Sequence, residues 1–160
     1  MKFKKIAIVL SAVSMLAFGA QSAFANTNID EQADVQNNNY YTPEAYLAGA
    51  PAGTINPFNY NKLGTLSSPS DTDWYSVTFP SNTYFPGATA LITLVSPFGG
   101  IQYGVSILDS NGGVVDKTII TNTEQLTQYR INFLPNVEYK LHVYSLSSSV
   151  SPYKYQLAIN

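Results

Sequence analysis

The residues able to carry chemistry are few. His142 is the single histidine and cysteine is absent, so a Ser-His-Asp relay would have to be built on His142, and disulfides, thiol catalysis and cysteine-based zinc sites are excluded. No Gly-x-Ser-x-Gly elbow supplies a nucleophile. The best-placed carboxylates are Asp71 and Asp73, two residues apart where an acidic turn enters the amphipathic stretch Trp74 to Phe79. A hard cation of the calcium type needs many oxygen ligands, and Glu44, Asn56 and Asn59 are the donors that could join the two aspartates if the segment before the strand folds over its mouth. The alternative is that Asp71 and Asp73 accept backbone N–H bonds within their own turn. Two carboxylates on a loop without pocket-forming partners do not specify glycosidase chemistry.

A third kind of group is abundant. The chain has 12 tyrosines and one tryptophan against few charges. Strand alternation sends many of the tyrosines inward, but leaves Trp74, Tyr84, Phe85, Phe98 and Tyr144 on loops or outward faces. Exposed aromatic rings give large contact area at low entropic cost, as protein-binding and sugar-binding surfaces do.

Strands must position these groups. Tyr75, Val77 and Phe79 share one side of a period-two pattern, with Trp74, Ser76 and Thr78 on the other. Ala88 to Val95 is apolar on both sides and suits the middle of a sheet. Ile101 to Asp109 alternates, Asn111-Gly112 suggests a tight hairpin turn, and Val114 to Thr121 reads as the returning strand. Gln125 to Leu134 sets Tyr129, Ile131 and Phe133 inward and Gln128, Arg130 and Asn132 outward. Val137 to Ser145 sets Tyr139, Leu141 and Val143 inward and Glu138, Lys140, His142 and Tyr144 outward. Being sequential and joined by a short Pro135-Asn136 turn, these two strands are expected to pair as a hairpin, with Gln128, Arg130, Lys140, His142 and Tyr144 on one platform. Tyr153 to Ile159 closes the chain as a strand. About eight short strands, and no helical pattern longer than one turn, indicate an all-β antiparallel sandwich or jelly roll.

Gly64-Thr65-Leu66, then Asp71-x-Asp73-Trp74-Tyr75, the turn Leu108-Asp109-Ser110-Asn111-Gly112, the strand Tyr139-Lys140-Leu141-His142-Val143 and the closing Tyr155-Gln156-Leu157-Ala158-Ile159 together resemble the bacterial pre-peptidase C-terminal domain family over about Tyr41 to Asn160. The resemblance implies the same β-sandwich and a non-catalytic module that usually trails a secreted hydrolase. It also implies a calcium site in some members, built from the Asp-x-Asp loop and an acid-rich preceding linker, although here that linker offers Asn37, Asn38, Asn39 and Glu44.

The N-terminus reads as a secretory signal peptide. A basic start (Lys2, Lys4, Lys5), an apolar run from Ile6 to Ala20 and the small residues of Ala23-Phe24-Ala25 predict cleavage after Ala25. The apolar run is short for a membrane span. Removing this leader takes away three lysines and leaves a net charge of −5, which argues against nucleic acid as a partner. Residues 26–39 hold few apolar side chains and read as a disordered leader to a single domain over 40–160. The sequence thus predicts a secreted, non-enzymatic binding or accessory module with an extracellular protein or polysaccharide as partner and no membrane contact after processing. The other readings are a structural component of a matrix or cell surface, or a small hydrolase. Tyr144, Arg130, Gln128, His142, Lys140, Trp74 and Tyr84 are the candidate ligand contacts.

Overall fold

The computed structural model describes residues 26–32, 37–98 and 100–160; the expected signal peptide lies outside them. The strands in chain order are β1 (Thr27–Asp30), β2 (Glu44–Ala45), β3 (Tyr60–Gly64), β4 (Thr72–Thr78), β5 (Thr89–Val95), β6 (Tyr103–Leu108), β7 (Lys117–Asn122), β8 (Leu126–Asn132), β9 (Glu138–Ser145) and β10 (Tyr155–Ile159). They form a six-stranded sheet in the order β1-β3-β10-β5-β8-β7 and a four-stranded sheet in the order β2-β4-β9-β6. All pairs are antiparallel except β1 with β3 and β2 with β4, which are parallel.

The expected alternation builds the core. Tyr75 and Val77 of β4, Val105 and Ile107 of β6, and Leu141 and Val143 of β9 point from the smaller sheet to Ala90, Ile92, Leu94, Ile131, Leu157 and Ile159 of the larger one, all buried. β5 is apolar on both sides because it lies between β10 and β8. Two facing sheets with interdigitated inner residues make an all-β sandwich, of ten described strands rather than about eight.

Three expectations are corrected. β8 and β9 do not form a hairpin: β8 pairs with β5 and β7 in one sheet, β9 with β4 and β6 in the other. The Leu134-Pro135-Asn136 link is an arch over the edge of the core, with Asn136 at φ 57° and its N–H donated to Phe79 O at 2.8 Å. Nor is Asn111-Gly112 the tip of a long hairpin. Asp109 Oδ1 accepts from the Asn111 and Gly113 amides at 2.8 Å each, only the Leu108–Val114 bridge follows, and the chain then leaves for the other sheet as β7.

The third correction concerns residues 26–39, where β1 is an ordered strand at the edge of the larger sheet. Its single buried apolar residue, Ile29, is 5% exposed. Side-chain amides supply what apolar burial does not: Asn61 Nδ2 donates to Asn28 Oδ1 at 3.0 Å, and Asn26 Nδ2 lies 3.1 Å from the side-chain oxygens of both Asn61 and Asn160.

Candidate functional site: an aromatic row on the four-stranded sheet

The outward residues of β4 and β9 meet because the two strands are antiparallel neighbours with Trp74 directly opposite His142. Cross-strand partners stand close enough for ring contact. The Trp74 and His142 rings stack with centroids 4.0 Å apart and planes 9° from parallel. Tyr144, two residues along the same face, lies 5.0 Å from His142 at a tilt of 35°. Its ring crosses Gly104 of β6, where an added Cβ would come within 2.8 Å of Tyr144 Cζ. The glycine leaves a bare patch of strand that the tyrosine covers.

At the other end of the row the segment before β2 contributes Tyr40, edge-on to Trp74 at 5.6 Å and followed by Tyr41 at 5.4 Å. Lys140 Nζ sits 3.5 Å from the centre of the Tyr40 ring and donates to Tyr40 O at 2.8 Å, a cation–π contact and a hydrogen bond that fix the turn to the sheet. Trp74, His142, Tyr144, Lys140 and Tyr40 are all half-buried, and Tyr41 is exposed. His142 is not a freely solvated side chain: burial lowers its pKa to about 4, and Nε2 is buried without a hydrogen-bond partner. The imidazole is therefore neutral near pH 7 and acts as one more flat ring in the row.

The remaining sequence-predicted contacts lie elsewhere. Gln128 and Arg130 belong to β8 and face outward from the six-stranded sheet, across the whole sandwich from Lys140, His142 and Tyr144. Gln128 Nε2 donates there to Thr93 Oγ1 at 3.3 Å, and Arg130 is exposed. Alternation had sorted inward from outward correctly; the arch put the two outward sets on opposite faces. Tyr84 is at the end of the sandwich where β4 finishes, 6.1 Å from Phe133. Tyr40 was missed because its stretch reads only as irregular, and nothing local shows that Lys140, 100 residues later, will hold it.

The three candidate cation ligands are dispersed by their own partners. Glu44 is buried in an ion pair with Lys62 and accepts from the Gln32 amide at 3.3 Å. Asp71 caps its turn, Oδ2 accepting from Ser67 N and Oγ at 2.7 Å each and Oδ1 from Thr72 N at 2.9 Å. Asp73 shares the parity of Tyr75 and Val77 and so points inward, where its buried Oδ2 accepts from Tyr155 Oη at 2.6 Å; Tyr155 Oη is in turn 2.6 Å from Tyr75 Oη. Burial pushes Asp73 up to about 8 against the Tyr155 hydrogen bond, with the charges of Glu31 and Asp71 adding to the rise. Asp71 and Asp73 do line one polar pocket of about 390 Å³ together with Glu31, Asn37, Gly64 and Lys154. Among the described residues, however, no three acidic or imidazole side chains are gathered so as to hold a metal ion. The Glu44, Asp71 and Asp73 set does not fit calcium, and the turn-cap reading describes Asp71.

No family model matches the chain, and no curated protein matches it. Among solved structures, the pre-peptidase C-terminal domain of a collagenase from Bacillus anthracis is similar at 17% identity and a TM-score of 0.46, the alignment covering 62% of this chain and 87% of that one.

Proposed function

We propose that this protein is an exported, non-catalytic binding module of the pre-peptidase C-terminal kind, and that it attaches to an extracellular polymer or protein through the outer face of its four-stranded sheet. The observation that carries this reading is the unbroken row of Tyr40, Trp74, His142 and Tyr144, half-buried side chains whose rings touch in sequence across the segment before β2, β4 and β9. Each ring is held by its neighbour, so little side-chain entropy is lost when a ligand covers the row. Lys140 at its edge is already engaged by the Tyr40 ring and carbonyl and the His142 ring is neutral, which suits an uncharged chain of sugar hydroxyls or peptide amides better than an acidic one.

Retention of the mature protein on insoluble collagen, chitin, cellulose and peptidoglycan tests the reading. On the polymer that retains it, Trp74→Ala and Tyr144→Ala should each weaken binding by about 1–2 kcal/mol, as interface anchors do, while Arg130→Ala on the opposite sheet should bind like the parent. Parent-like retention by the Trp74 and Tyr144 variants, or loss of it in Arg130→Ala, would move the site off this face.

A further inference from the structure

β1 is held in an unusual way for so small an element. Three of its four residues are exposed, and Ile29, its one apolar anchor, is not part of the central cluster. Ile29 instead fits a separate seat: its Cγ2 lies 2.7 Å from where a Cβ on Gly49 would stand, a position that Gly49, at φ +91°, leaves open. Side chains add to the hold, Asn28 accepting from Asn61 and Asp30 from Lys154, and the body also reaches for backbone. Lys62, fully buried, donates to Asp30 O at 3.3 Å and to Ala48 O at 2.9 Å; its ion-pair partner Glu44 accepts from the Gln32 amide; the Glu31 amide reaches Leu63 O at 2.8 Å.

A buried ion pair that satisfies itself on one strand's peptide groups makes a demanding acceptor. With β1 gone, Lys62 would be short of an acceptor and Glu44 short of a donor, at a cost larger than that of most lost contacts. Yet β1 can leave without opening the core, because its only buried side chain lies outside it. Elements with few buried contacts open first. The seat reads backbone, one aliphatic side chain and the polar ends of Asn28 and Asp30, all of which β1 of any copy of this chain supplies equally.

We infer that the β3 edge is an acceptor site for β1 of a second copy, so that the protein links to itself by exchanging its N-terminal strand. The exchanged interface is the one already seen within the chain, with the same parallel register of Thr27 to Tyr60 through Asp30 to Leu63. Exchanged and unexchanged forms share those contacts, so concentration and the connecting segment set the balance. One copy's strand leaves it free to accept another's, giving either a reciprocal dimer or an open chain of copies. This goes beyond polymer binding and does not depend on it.

The chain has no cysteine, which makes the test direct. Asn28 and Asn61 are register partners with touching side chains. Asn28→Cys and Asn61→Cys placed in one chain report that the pair can close. The two single variants, mixed at the highest soluble concentration, oxidised and mapped by mass spectrometry, should yield a 28–61 link between chains that rises with concentration. Ile29→Asp in the donor chain should reduce that link roughly tenfold, since a charge cannot occupy the one apolar seat. Light scattering on the cysteine-free parent gives an independent readout: oligomers that grow with concentration and vanish in Ile29→Asp. The inference is overturned if the mixture links no better than Asn28→Cys mixed with Thr123→Cys, or if the parent stays monomeric throughout.

Discussion

Gly64→Ala probes the most crowded polar spot in the core. Gly64 ends β3 against the buried Tyr75–Tyr155–Asp73 chain, and a Cβ there would stand 2.6 Å from Tyr155 Cζ and 2.7 Å from Tyr75 Oη. Both rings are 0% exposed and packed within the core cluster. Forcing a methyl into a packed site costs about 1–3 kcal/mol, and displacing either phenol strips a buried hydrogen bond worth a further 1–3 kcal/mol or so in unsatisfied polar groups. The expected loss is about 2–6 kcal/mol, against a total stability of about 5–15 kcal/mol for an ordinary domain. In urea, with a slope of about 2 kcal/mol per molar, the unfolding midpoint should fall by roughly 2 M. Trp74 fluorescence and far-ultraviolet circular dichroism should follow the same transition. Tyr155→Phe removes the atom nearest the new methyl, so Gly64→Ala with Tyr155→Phe should be more stable than the sum of the single losses by over about 1 kcal/mol, as contacting residues are. A single-variant loss under about 1 kcal/mol, or strict additivity in the pair, would refute this account of why glycine stands at the end of β3.

Two other outcomes follow from the acidic side chains. The fold favours neutral Asp73, whose pKa is raised from 3.8 to about 8, so its contribution is fully present below pH 3.8 and is lost as pH rises towards 8. Thermal midpoints should therefore decline across that window, and Asp73→Asn should flatten the decline; an equal slope in the variant would show that other groups cause it. Thermal melts in chelator and in millimolar calcium should coincide, because Asp71 is occupied by its turn and Glu44 by Lys62; a rise with calcium would mean that the carboxylates around the pocket draw together on an ion.

Much of the fold is legible in local pattern, and the two misread connections share one cause. Period-two alternation identified the inward residues of β4, β8 and β9, because each strand buries one face whatever its neighbours are. The same alternation is satisfied by a hairpin, in which two successive strands share a sheet, and by an arch, in which they face each other across the core. Local pattern predicts the first for the Leu134–Asn136 link and the Asn111-Gly112 turn, whereas both lie where the chain passes from one sheet to the other. That choice decides whether Arg130 joins His142 or lies behind it. β1 escaped notice because its hold comes from Lys62, Glu44 and asparagine amides rather than from its own apolar content. Asp73 could have been placed from its parity with Tyr75, whereas Glu31, which accepts from Asn37 Nδ2 and the Thr65 amide, gave no local sign.

The arches also decide where the members of the ring row come from. Tyr40, Trp74, Gly104 and Tyr144 touch in space but are far apart along the chain. Any fragment that carries the whole row must run at least from Tyr40 to Tyr144, and closing these distant contacts belongs to the slow, non-local part of folding. Capture on a polymer surface would then work as a conformational filter: nicked or half-folded copies wash away, and the retained population consists of molecules whose two sheets have closed.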